Sequence, residues 1–256
     1  VKEGRRFTIH EAIDFVVQAS EALSKAHNIG IIHFVKLRYA ESLEAYRKSL
    51  AIEEEVGRKP ETARSLNSIA LVHLAQSRFT EALDHFQRAL ALYESLNRNA
   101  DVAQTYENIG NVYYEQGEYA RAVEFYQECV KRYDTANAKS SAAYRVLKIA
   151  RVEYEQGRDA VAVEFYQQAV ARLTALGDRR SLGYALHNIA NIYYEQGDYN
   201  QALGFYQRSL QAEREAGTRE GEAGALQGIG LIHSLNGNHT LALDRSEEHT
   251  SELQSR

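Results

Sequence analysis

The stretch NIGNVYYEQGEYARAVEFYQ (Asn108–Gln127) returns forty residues later as KIARVEYEQGRDAVAVEFYQ (Lys148–Gln167), and forty after that as NIANIYYEQGDYNQALGFYQ (Asn188–Gln207). Self-similarity at a fixed period of this length marks a repeat array, in which each unit buries its apolar face only against its neighbours. Within one unit, Val102, Tyr106, Ile109, Val112 and Tyr113 follow the three-and-four spacing of one helical face. After Gly117 the spacing resumes at Tyr119, Ala122, Val123, Tyr126, Cys129 and Val130. The unit therefore reads as a helix, a turn and a second helix. Glycine at 117, 157, 197 and 237 suits a left-handed backbone in that turn. Alternating strand patterning is nowhere sustained.

Small residues recur where the helices must approach. Gly30, Ala70, Gly110, Ala150, Ala190 and Gly230 share one phase on the first helix, and Ser42, Ala82, Ala122, Ala162, Ala202 and Ala242 share another on the second. Rings stand beside them at Tyr46, Phe86, Tyr126, Tyr166 and Tyr206. The phase predicts second helices starting near Tyr39, Phe79, Tyr119, Asp159 and Tyr199. The predicted fold is all-α, a solenoid of antiparallel helix hairpins over residues 26–244. Five full repeats fall at about 26–57, 61–97, 101–137, 141–177 and 181–217, with a partial sixth at 220–244. A repeat broken before its capping helix predicts an apolar, exposed end there.

Composition narrows the function. A formal charge of −5 over 256 residues lacks the clustered Lys/Arg of a nucleic-acid footprint. No apolar run approaches the roughly 18 residues of a membrane span, and no secretory signal opens the sequence. One cysteine and one proline exclude a disulfide framework and favour unbroken helices. A cytoplasmic protein without nucleic-acid or membrane partners is expected. The absence of methionine leads us to expect an internal piece of a longer chain. Cys129 shares its phase with Ser49, Ala89, Ala169 and Ser209 and is expected to be a small packing residue. His33, His73 and His233 lie a repeat or more apart, so no metal or other cofactor is expected. Glu153 is out of place in a phase otherwise held by His and Tyr.

These positions resemble the tetratricopeptide repeat family, whose Leu-Gly, Tyr, Gly-x-Tyr, Ala, Phe/Tyr and Ala pattern is met by Ile109-Gly110, Tyr113, Gly117-Glu118-Tyr119, Ala122, Tyr126 and Cys129. The resemblance covers Ala26 to Asp244 and implies a right-handed superhelix. The period is forty rather than about 34, which lengthens each helix by up to a turn. The resemblance further implies that first helices line a concave face where partners bind. On three consecutive units the positions expected there are Asn108, Asn111 and Glu115; Lys148, Arg151 and Glu155; and Asn188, Asn191 and Glu195. Asparagine amides can pair with a peptide backbone, while Lys148 and Arg151 can hold an acidic side chain. Arg151 and Glu155 equally suit an i,i+4 pair on a solvated face. The family's clamp for chaperone tails needs a lysine in the phase that here holds Asn67, Glu107, Leu147, His187 and Gln227, so such a tail is not the expected partner.

Both ends read differently. Phe7 to His33 resembles the helix leading into the catalytic loop of bacterial Ser/Thr protein kinases, but Phe34-Val35-Lys36 follows where that family has Arg-Asp. Without that Asp, a Gly-rich loop or an Asp-Phe-Gly, no catalysis is expected. Residues 1–25 are expected to form a helix on the first hairpin. The last twelve, RSEEHTSELQSR (Arg245–Arg256), resemble a sequencing adapter translated in frame and are read as a non-native tail. The leading expectation is a non-catalytic scaffold that binds an extended partner segment. The alternative is the regulatory or docking arm of a multidomain bacterial kinase.

Overall fold

In the computed structural model, which describes residues 25–235, the chain runs through successive helices closed at intervals of twenty residues. After α1 (25–35) come α2 (Tyr39–Val56), α3 (Lys59–Ala75), α4 (Phe79–Ser95), α5 (Asn99–Glu115) and α6 (Tyr119–Thr135). They are followed by α7 (Lys139–Glu155), α8 (Asp159–Leu176), α9 (Arg179–Glu195), α10 (Tyr199–Ala216) and α11 (Arg219–Leu235). Every described turn passes through a left-handed residue: Leu37, Gly57, Ser77, Asn97, Gly117, Asn137, Gly157, Gly177, Gly197 and Gly217. At Gly117 the terminal carbonyls are capped in the paired manner of a Schellman turn, with Gly117 N donating to Tyr114 O (2.9 Å) and Glu118 N to Tyr113 O (2.8 Å). Asn97 closes α4 the same way, through Glu94 O and Tyr93 O. The next helix then starts two residues on, so helix length and turn length are both set by the position of the left-handed residue.

The second helices begin at Tyr39, Phe79, Tyr119, Asp159 and Tyr199, where the forty-residue phase points. From α3 onward the first helices begin at Lys59, Asn99, Lys139, Arg179 and Arg219, a residue or two ahead of the unit boundaries read from the sequence. Gly237, Ala242, the second helix of the sixth unit, the 245–256 tail and the kinase-like stretch before residue 25 lie outside the described residues.

The described helices divide into two compact units between Arg132 and Tyr133, near the end of α6. In the first unit, Leu43 and Tyr46 of α2 close on Ile69 and Val72 of α3, with Phe34, Tyr39 and Leu50 at the margin. Ala63 and Leu66 of α3 meet Ala89 and Tyr93 of α4 and Val102 of α5. In the second unit, Tyr206 and Leu210 of α10 pack among Ala190 of α9 and Ala225, Leu226, Ile229 and Ile232 of α11. The rings at 46, 86, 126, 166 and 206 are all buried, as are Ser42, Ala82, Ala122, Ala162 and Ala202. Each ring contributes roughly 1.5–3 kcal/mol by leaving water. A Cβ at Gly110 would stand 2.5 Å from the Tyr126 ring, so the ring takes the space that a side chain there would need. Cys129 is fully buried in the small-residue phase.

The odd Glu153 is 3% exposed and is answered across the turn by Arg158, 3.2 Å away. Two further carboxylates are buried at one shared phase. Glu53 accepts from the hydroxyls of Ser49 (2.8 Å) and Ser65 (3.0 Å). Glu213 lies against Gly183 and Gly221, where any Cβ would collide with it, and accepts from the Thr218 hydroxyl. No helix among the described residues is long and apolar enough to cross a membrane.

A left-handed backbone costs an L residue with a Cβ about 1–2 kcal/mol relative to glycine. Ser77→Gly is therefore expected to stabilise the protein by about 1 kcal/mol and Gly177→Ala to destabilise it by a similar amount. Urea midpoints of the two variants against the parent check both signs.

Candidate functional site

The outward residues of the first helices are tied to the rings behind them. The Tyr126 hydroxyl donates to Asn111 Oδ1 at 2.9 Å, and the Tyr206 hydroxyl donates to Asn191 Oδ1 at 2.6 Å, each across fifteen residues of one hairpin. Where the ring lacks a hydroxyl, at Phe86, the equivalent first-helix residue is Leu71. Asn111 and Asn191, expected to face a partner, are both half-buried, with their oxygens engaged inside the fold. Asn108 departs furthest from its expected outward position. It is 5% exposed, donates to Asn67 Oδ1 at 3.0 Å, and accepts from Gln104 at 3.4 Å. The phase that points outward on later units is closed here by a hydrogen bond between α3 and α5.

In the second unit the first-helix face is more open. Arg151 is exposed and sits 3.4 Å from Glu155, the i,i+4 pair that the spacing allows. Lys148 is half-buried one turn earlier. Asn188 is half-buried and turns its amide back to the Tyr184 carbonyl at 2.7 Å. Glu195 accepts from the Tyr154 hydroxyl at 2.7 Å, linking α9 to α7. Glu115, in the first unit, is exposed at the end of α5.

Two residues absent from the sequence-based expectation belong to this face. Tyr144 and Tyr184 are 43% and 45% exposed, one turn ahead of Lys148 and Asn188. The signal was available: their phase reads Arg64 and Gln104 in the first unit, then turns aromatic. The Tyr144 hydroxyl donates to Asp178 Oδ2 at 2.7 Å, while Asp178 Oδ1 caps α9 through the Ser181 amide at 3.1 Å. Burial pushes the Tyr154 phenol up to about 12, with its bond to Glu195 adding to the shift.

Tyr166 breaks the pattern of its neighbours. Its ring is fully buried, and its hydroxyl has no hydrogen-bond partner. The residue fifteen before it is Arg151, a donor that cannot accept. Beside Tyr46 the hydroxyls of Ser68 and Ser42 serve instead, but the Ser68 phase here holds Asn188, which turns its amide N–H to the Tyr184 carbonyl and makes no bond to the Tyr166 hydroxyl. Tyr154, Tyr184, Arg151 and Glu155 are the polar groups around the orphaned hydroxyl, and burial first of all raises its pKa well above the tyrosine range.

Among the described residues no group of three or more His, Cys, Asp or Glu could hold a metal ion. A shallow cavity of about 170 Å³ between α8, α9 and α10 is rimmed by Arg179 and Glu215, which pair with each other at 2.9 Å.

Residues 21–95, 139–212 and 181–251 match a family model described as tetratricopeptide repeat, and residues 102–136 match a second model of the same description. Among solved structures the chain is similar to BtubC (BKLC) from P. vanneervenii, with a TM-score of 0.63 and 16% identity over 86% of this chain and 91% of that one. It is also similar to aspartyl phosphate phosphatase F from Bacillus subtilis, with a TM-score of 0.67 and 12% identity over 91% and 70% of the two chains. For Pseudomonas aeruginosa pilF the TM-score is 0.60 and the identity 16%, over 93% and 99%. At these identities the likeness is one of fold. No curated protein matches the sequence.

Removing the hydroxyl of Tyr206 is expected to cost about 1 kcal/mol, because its bond to Asn191 is lost, whereas Tyr166→Phe should be neutral or stabilising. Chemical denaturation of the two variants measures the contrast. A second expectation concerns pH. Burial holds His187, which meets the Tyr206 ring edge-on, below its ordinary 6.5. The unfolded chain then takes up a proton first, so stability is full above about pH 6.5 and falls as pH drops from there toward the folded value. The melting temperature should fall between about pH 7.5 and about pH 5.5, and His187→Gln should shrink that fall.

Proposed function

Because the chain belongs to the tetratricopeptide repeat family, we propose that it is a protein-interaction scaffold whose second unit binds an extended, acidic segment of a partner protein on the outward face of α7 and α9. Repeats of this family are generally non-catalytic scaffolds. The observation that carries the finer reading is the pair of exposed tyrosines, Tyr144 and Tyr184, in line with Lys148 and Arg151. Tyrosine and arginine dominate binding hot spots, because they bring large contact areas at low entropic cost together with directed donors. Cations on this face select for Asp or Glu in the segment. Asn188 and Asn191 flank the tyrosine row, and the amide atoms they do not use inside the fold, Asn188 Oδ1 and Asn191 Nδ2, offer an acceptor and a donor to an extended backbone. In the first unit Asn108 is closed off, so no partner contact is proposed there.

A second reading is favoured by the kinase-like stretch from Phe7 to His33: the array would be the docking or regulatory arm of a multidomain signalling enzyme. Genomic reads spanning His33 to Leu37 distinguish the two. A complete kinase domain upstream in the same frame supports the arm, and any other neighbour leaves the plain scaffold.

Selection of displayed peptides against the chain should enrich segments containing Asp or Glu. The double reversal Lys148→Glu/Arg151→Glu should weaken the selected peptides at least about tenfold, since each broken charge pair is worth a kcal/mol or more at an interface. Peptides with no acidic preference, or unchanged affinity for the reversed protein, would overturn the reading.

A further inference from the structure

We propose that Arg151 and the hydroxyl of Tyr166 together form a pocket for one carboxylate of the partner segment, a Glu or Asp side chain received between α7 and α8. This rests on the scaffold reading above and gives it an address. The neighbouring hairpins obey a rule: Tyr126 and Tyr206 each find an asparagine oxygen fifteen residues earlier. In the fourth hairpin, α7 and α8, the same ring is kept, but its acceptor is replaced by a cation. Two donors, a phenol and a guanidinium, then share one neighbourhood, and neither can satisfy the other.

A phenol that is fully buried and without a partner is a costly arrangement for a fold to hold. An anion entering from the first-helix face satisfies both donors at once. One carboxylate oxygen accepts from Tyr166 Oη and the other from the guanidinium of Arg151, in the charge-assisted form that gives short, strong bonds. The groups facing this point are Tyr154, Arg151 and Glu155 from α7 and Tyr184 from α9. Glu155 is the present partner of Arg151. Its 3.4 Å separation is longer than that of a good charge-assisted bond, and both side chains are exposed. The incoming carboxylate takes the place of Glu155 on Arg151 and reaches the phenol, which Glu155 does not. Exposed Tyr144 and Tyr184 supply apolar walls for the stem of the acidic side chain.

The test uses the full chain and two synthetic probes, a hexaglutamate and a hexaserine peptide, titrated by calorimetry at low salt. Hexaglutamate is expected to bind the parent and hexaserine not. Tyr166→Phe should weaken hexaglutamate about tenfold, as the loss of a charge-assisted hydrogen bond does. The same substitution should not lower the melting temperature. Tyr206→Phe is the control: it should lower the melting temperature and leave hexaglutamate affinity unchanged. Arg151→Asn restores the neighbours' pattern, so it should raise the melting temperature while weakening hexaglutamate at least as much as Tyr166→Phe. If hexaglutamate binds the parent, and binds Tyr166→Phe and Arg151→Asn equally well, the pocket is overturned and the scaffold reading survives. If it binds the parent no better than hexaserine does, the acidic partner and the pocket fall together.

Discussion

A ring at Tyr46, Phe86, Tyr126, Tyr166 or Tyr206 fits only because the facing helices carry glycine, alanine or serine around it. That fit brings the two helices of a hairpin into close contact, and apolar burial of the ring helps hold them together. It also carries an obligation. Four of these five rings are tyrosines. A phenol driven into a dry interface must find an acceptor, or the hydroxyl forfeits its hydrogen bond to water. The first-helix residue fifteen positions earlier is therefore not free to vary independently. It is asparagine opposite Tyr126 and Tyr206, and leucine opposite Phe86. Residues on what family resemblance marks as a binding face are partly chosen by the core behind them.

The turns impose the second regularity. A left-handed residue every twenty positions ends each helix with its last carbonyls capped, so the register of rings and small residues is renewed at every turn instead of drifting along the array. At the phase shared by residues 53, 93, 133, 173 and 213 the chain holds Glu, Tyr, Tyr, Leu and Glu. The two carboxylates are buried, and each has a serine four residues before it, Ser49 and Ser209, where the other hairpins carry Ala or Cys. Ser49 donates to Glu53, whereas Ser209 donates to the Gly183 carbonyl beside Glu213. Polar partners thus accompany the buried charge in sequence as well as in space.

Much of this is legible in the sequence, for a physical reason. Helix type, second-helix starts, the ring and small-residue phases and the burial of Cys129 all follow from periodicity, which reports which face of a helix is dry. The true spacing of the turns is hidden, because only some left-handed positions are glycine; Leu37, Ser77, Asn97 and Asn137 adopt the same backbone without announcing it. The site is less legible. Periodicity says that Asn108 lies off the apolar stripe, but not that Asn67 on the preceding hairpin reaches across to bury it. It marks Glu153 as odd and cannot show that Arg158 closes over it from the following turn. Contacts of this kind depend on which side chains meet between elements, and a forty-residue phase read along one chain does not order them. Tyr144 and Tyr184 escape notice because aromatic residues at helical spacing ordinarily mean core.

The presence of arginine at position 151, where the neighbouring hairpins hold asparagine, is best weighed by what it does for its own hairpin. Its pair with Glu155 is exposed and loose, of the class that contributes between nothing and about 1 kcal/mol. Against that stands the Tyr166 hydroxyl, buried without an acceptor, at a cost of about 1–3 kcal/mol. The balance for folding is unfavourable, and either Arg151→Asn or Tyr166→Phe would mend it with a residue type the array already uses in that phase. A local rule broken where its remedy is at hand, next to exposed tyrosines and a lysine, is the pattern expected of a site whose missing partner is supplied from outside the fold. Stability alone would have written the fourth hairpin like the third and the fifth.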